Sequence, residues 1–197
     1  MCGILALFSA HKKIHECDLD KGLEVMQHRG PDNKGMWLSP DASVGLGHMR
    51  LSIMDPAAGD QPIANAAGTL HIAVNGEFYD FENLRADLKR RGHVFKTASD
   101  SEIALHLYDE YGVAALDYLR GEFAFCLWDE ANRTLFAARD RFGIKPLYYT
   151  VYRDTLFLGS EIKSLFAAGV QGGVGTFASW IVIVVESIEA DDRLVGF

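Results

Sequence analysis

A layered α+β domain is what this 197-residue sequence predicts, and three observations carry that expectation. Short apolar segments bounded by turn residues recur as mainly antiparallel strands, helical patterns stand between and after the strand groups, and each helix has one apolar face to bury. An apolar fraction of 49% with 23% charged residues is that of an ordinary soluble globular protein, and the length suits one compact domain.

Taken in order, Cys2 to Ser9 reads as a buried first strand. Its apolar run, Ile4 to Phe8, is shorter than a signal-peptide core and has no basic residues before it. Asp18 to Gln27 sets Leu19, Leu23 and Met26 at helical spacing, and the polar stretch His28 to Gly35 follows as a turn. Strands are expected at Lys34 to Ser39, Ser43 to Met49 and Leu70 to Asn75, with Pro and Gly clusters between them. Helices are expected at Asp80 to Arg91, where Leu84 and Leu88 lie one turn apart, and at Ser101 to Tyr111. From Glu122 the segments FAFCLWD, TLFAARD, PLYYTVY and TLFLGS read as an antiparallel meander, closed by a helix near Glu161 to Ala168. After Gly169 come a Gly-rich stretch, the apolar run FASWIVIVV and an acidic end. At nine residues that run is too short to span a bilayer and reads as a buried strand.

Charge and cysteine usage exclude several functions. A net charge of −8 offers no basic patch for nucleic acid or an anionic membrane. Cys2, Cys17 and Cys126 form an odd set without CxxC spacing, so neither a disulfide framework nor a metal site is expected, and the cytoplasm is the natural location.

The chemistry-bearing candidates are few. Removal of Met1 would leave Cys2 with a thiol and a free α-amino group on one residue. That amine has an ordinary pKa of about 7.7 to 8, suited to taking the thiol proton and later protonating a leaving amine. Asn75-Gly76 reads either as a hairpin turn or as two donors, a side-chain amide and a backbone N–H, for an oxyanion. Glu77 beside them is an acceptor for an ammonium group. Arg50 is either a surface ion-pair residue or a bidentate anchor for an α-carboxylate. Asp100 reads as the cap of the helix after it or as a receptor for an α-ammonium. The run His28 to Asp32 has the composition of a turn over a pocket.

In order, the segments MCGI, HRGPDNKG, RLSIMD, GDQPI, VNGEFYD, SDSE, GEFAFCLWD, ARDRFGIKPLYY and LGSEIKSL resemble the glutaminase domain of glutamine-hydrolysing asparagine synthetases. Those domains are class II glutamine amidotransferases with the N-terminal-nucleophile hydrolase fold, and the resemblance covers about residues 2 to 169. It implies a four-layer αββα sandwich with two antiparallel sheets, Cys2 as nucleophile, and Asn75 and Gly76 as the oxyanion hole. It also implies Arg50 as the α-carboxylate anchor, Glu77 and Asp100 at the α-amino end, and Leu51, Ser52 and Ile53 lining the pocket.

The implied reaction is hydrolysis of L-glutamine to glutamate and ammonia, with the ammonia passed to an ATP-dependent synthetase domain. The sequence has no SGG-x-DS-type pyrophosphate loop, so ATP and magnesium would belong to a synthetase domain absent here, such as a separate subunit. Residues 170 to 197 depart from the family pattern and read as a truncated or frameshifted tail. A catalytically silent relic or interaction module of the same fold is the competing reading. The amidotransferase half of a sugar- or purine-pathway enzyme ranks behind both.

Overall fold

The computed structural model describes residues 1–52, 59–171 and 182–186. The strands are β1 (Gly3–Phe8), β2 (Asn33–Leu38), β3 (Val44–Arg50), β4 (Ile63–Ala64), β5 (Leu70–Phe78), β6 (Gly121–Asp129), β7 (Thr134–Arg139), β8 (Tyr148–Tyr152), β9 (Thr155–Gly159) and β10 (Val182–Glu186). The α-helices are α1 (Glu16–Glu24), α2 (Phe81–Arg90), α3 (Glu102–Tyr111) and α4 (Ile162–Ala167), with a 3-10 turn at Gly112–Asp117. The strands form two antiparallel five-stranded sheets, ordered β2-β3-β1-β9-β8 and β10-β7-β6-β5-β4.

Side-chain alternation explains how these strands build four layers. In β1, Ile4, Ala6 and Phe8 point between the sheets, where they meet Ala73 of β5 and Ala124, Cys126 and Trp128 of β6. Leu5 and Leu7 face the other way, onto Leu19 and Leu23 of α1 and Leu165 of α4. On the second sheet, Phe123, Phe125 and Leu127 turn outward to Ile103, Leu107 and Leu88 of α3 and α2. The order is therefore helix, sheet, sheet, helix, and a strand buried on both faces reads as a continuous apolar run. Gly47 lets α1 sit close on β3, because a Cβ there would stand 2.8 Å from Leu23 Cδ1.

The α+β expectation holds, with corrections of detail. The segment read as one meander is divided: β6 and β7 belong to one sheet and β8 and β9 to the other, with residues 140–147 passing between them. Period-two patterning specifies strands and their faces but not which sheet receives them. Helix α1 starts two residues before the expected point and ends at Glu24, although Met26 remains fully buried. The two-residue strand β4 gave no periodic signal. Within the FASWIVIVV run, Val182 to Val185 pair with β7; residues 177–181 and the burial of the whole run lie outside the described residues. Among the described residues no helix is long and apolar enough to cross a membrane.

Candidate functional site

Where β1 begins and β3 ends, a cleft opens against β5 and the α2–α3 connection. Cys2, Arg50, Leu51, Asn75, Gly76, Glu77 and Asp100 all line it. Cys2 stands half-buried just before β1. Its Sγ accepts the Leu51 backbone N–H at 3.4 Å, and the long contact to the Leu51 carbonyl is 3.8 Å. Arg29 Nε donates to the Cys2 carbonyl at 2.8 Å while Arg29 Nη1 pairs with Glu161 at 3.1 Å, so the His28 to Asp32 run clamps the start of β1.

Asn75-Gly76 is not a turn. Both residues lie inside β5, opposite Ala124 and Phe123 of β6. The glycine is required by close strand approach: a Cβ at Gly76 would meet Phe123 Cα at 2.5 Å and collide with the Glu122 carbonyl. Along β5, even-numbered residues turn their N–H groups away from β6. Val74 N–H is held there by Gln61 Oε1 at 2.6 Å, and Phe78 N–H by Asp100 Oδ2 at 2.7 Å. The alternation of an antiparallel ladder puts the Gly76 N–H between them on the same edge. Beside it, Asn75 Nδ2 is buried and has no hydrogen-bond partner among the described residues. A buried amide donor left in this state has a strong preference for an incoming acceptor.

Asp100 does not cap α3, whose N-cap is Ser101 and which has no side-chain cap. Its carboxylate turns back to the open edge of β5 because the Phe78 N–H there has no strand partner. Burial raises the Asp100 pKa against the opposing hydrogen bonds from the backbone of Phe78 and Ser101. Arg50 is buried, and its Nη1 meets Asp60 at 2.6 Å. A hydrogen bond from Asn33, together with the Arg50 guanidinium, holds Asp60 below the usual carboxylate range despite some desolvation. Glu77 sits exposed at the rim. Ser52 does not line the cleft, and its N–H is bound by Asp32 Oδ2 at 2.7 Å. Ile53 lies outside the described residues.

Among the cleft residues that the sequence did not single out are His48, Gln61 and Lys145. His48 is the most informative. Burial pushes its pKa down to about 4, so the ring is neutral near pH 7. Its Nε2 is 3.0 Å from the Val74 carbonyl, which assigns the proton to Nε2 and leaves Nδ1 a buried acceptor without a partner among the described residues. The whole of β3 is buried, so no alternation marked His48 as facing a cleft.

A model of the glutamine amidotransferase domain matches residues 1–188. The chain belongs to that family. Among its relatives, the amidase chry2 of Gibberella zeae is 45% identical across 87% of this chain and 27% of its own length. Asparagine synthetase [glutamine-hydrolyzing] 1 of Bacillus subtilis is 41% identical across 85% of this chain and 27% of its own. The chain thus spans about a quarter of these curated relatives. Glutamine phosphoribosylpyrophosphate amidotransferase of B. subtilis superimposes with a TM-score of 0.77 at 20% identity, over 94% of this chain and 47% of that one. The amidotransferase resemblance and the αββα N-terminal-nucleophile fold read from the sequence are borne out.

Proposed function

We propose that this amidotransferase domain hydrolyses L-glutamine to glutamate and ammonia with Cys2 as nucleophile. The observation that carries the reading is the pair of donors at Asn75 Nδ2 and Gly76 N–H, set on the edge of β5 in the cleft that Cys2 lines. Loss of Met1, which itself lines the cleft, enlarges the site and frees the Cys2 α-amine to act as base. The Cys2 sulfur attacks the side-chain amide carbon, and Asn75 and Gly76 stabilise the oxyanion. The C–N bond then breaks, the α-amine supplies the proton that ammonia carries away, and water cleaves the γ-glutamyl thioester to release glutamate and restore the thiol.

Arg50 holds the substrate α-carboxylate and Glu77 and Asp100 its α-ammonium, with the Leu51 backbone along the pocket. The ammonia serves an ATP-dependent synthetase, and relatives named amidase and asparagine synthetase support leaving acceptor choice to that other half. ATP and magnesium act there, and the glutaminase step needs no cofactor. Three free cysteines support a reducing, cytoplasmic setting.

Intact mass and glutamate release, measured on one purified sample, test the proposal. Loss of Met1 together with glutamate release supports it. A folded protein that has lost Met1 and releases no glutamate, alone or with a synthetase half, sinks it in favour of a silent relic. Asn75→Ala should lower kcat by roughly 10²- to 10³-fold, the usual cost of one oxyanion donor, with little change in KM. Unchanged kcat in steady-state kinetics would remove Asn75 from the oxyanion hole.

A further inference from the structure

We propose that His93, His106 and Asp109 bind one divalent transition-metal ion of the zinc class, as a clip between the α2–α3 connection and α3. The two imidazoles face each other through Nδ1, 3.2 Å apart. Asp109 Oδ2 stands 3.8 Å from His93 Nδ1, and the three donor atoms lie within 4.8 Å of one another. Nitrogens on a tetrahedral zinc, at metal–nitrogen distances of about 2.0–2.1 Å, are roughly 3.3 Å apart, so the histidine pair already has ligand spacing. Asp109 is 45% exposed at its side chain and free to swing toward the histidine pair. Water on the open side completes four ligands, since Asp109 faces solvent and His106 is buried.

The far side of each ring fixes which nitrogen is available. His93 Nε2 meets a Glu110 oxygen at 3.0 Å, and His106 Nε2 meets Glu102 at 3.2 Å. Carboxylates only accept, so both Nε2 atoms carry protons, and in two neutral rings both Nδ1 atoms present lone pairs to each other. Two lone pairs at that distance repel unless a cation stands between them. Carboxylate-bound histidines that turn the other nitrogen to a metal are the usual outer shell of zinc sites. Charge points the same way: Glu102, Asp109 and Glu110 surround the pair, and Arg91, 3.2 Å from Glu110, is shared with Asp87. The clip would also brace the cleft, because the segment it brackets carries Ser99, Asp100 and Ser101, all of which line it.

No metal site is expected from the sequence, whose three cysteines are an odd set without CxxC spacing. His106 and Asp109 are only one helical turn apart, and His93 arrives from a separate element. The site was legible only once those elements were packed together.

The test is calorimetric titration of zinc into chelator-stripped, thiol-blocked full-length protein, with a thermal melt in parallel. Thiol blocking removes Cys2 and Cys17 as competing ligands. One zinc per chain, a raised Tm, and at least a ~10-fold loss of affinity in both His93→Ala and Asp109→Asn support the site. Asp109 lies at the exposed end of the cluster while the His93 side chain is 11% exposed, so circular dichroism checks that both variants remain folded. Equal affinity in the variants overturns the proposal. So does wild-type protein that binds no zinc, which would leave the two rings sharing a proton instead. Neither result depends on glutaminase activity.

Discussion

Purified Cys2→Ala protein releases no glutamate from glutamine and melts close to wild type. The proposed reaction forms a thioester at Cys2 Sγ, so removing the sulfur leaves no covalent route, and a fall of at least about 10⁴-fold in kcat is expected. The fold should tolerate the change because the thiol is held loosely, by a 3.4 Å contact from the Leu51 N–H and a 3.8 Å contact to its carbonyl. Alanine also keeps the methylene at the edge of β1, which limits the stability cost to about 1 kcal/mol. Cys17 is exposed and does not line the cleft, so Cys17→Ser serves as the control that retains full activity. Paired glutaminase assays and thermal melts decide the matter. Residual Cys2-independent glutamate production would end the nucleophile assignment, whereas lost activity with a collapsed melt would show only that Cys2 supports the fold.

The layers were legible because burial leaves a local record. Continuous apolar strings such as GILALF, now β1, read as strands covered on both faces, whereas the one-faced helix expected for α3 is buried all round from Glu102 to Tyr108, which its spacing did not show. Sheet membership was not legible: no residue between Asp140 and Leu147 says that the next strand pairs with β9 and then β1 rather than with β7. The site divides in the same way. Cys2, Arg50, Asn75, Gly76 and Asp100 stand in motifs long enough to be read in order, yet Asn75-Gly76 looks locally like a turn and proves to be mid-strand. Gly76 follows from cross-strand crowding, which is set by Glu122 and Phe123, nearly fifty residues away. His48 and Gln61 enter only through contacts with Val74 that tertiary packing creates.

Asp140→Ala should cost about 4 kcal/mol of folding stability, a large share of the 5–15 kcal/mol typical of a domain. Asp140 is 2% exposed, and its carboxylate accepts the backbone N–H groups of Phe142 and Ile144 at Oδ1 and of Lys145 at Oδ2, each at 3.0 Å. One side chain thus shapes the crossing between the sheets, and its loss strands three donors at once. Burial raises the Asp140 pKa, but the N–H groups of Lys145, Ile144 and Phe142 outweigh it and hold the carboxyl below its usual range. A depressed folded pKa stabilises above the unfolded value of about 3.9 and loses that contribution as pH falls below it. The stability difference between wild type and Asp140→Asn should therefore be full at pH 7 and shrink as pH drops toward about 3. Urea unfolding at both pH values reads it, and a difference under about 0.5 kcal/mol at pH 7 would mean that the crossing is held by other contacts. Because Lys145 lies in this crossing, pairs with Glu122 at 2.9 Å and lines the cleft, the same substitution should also weaken glutamine use.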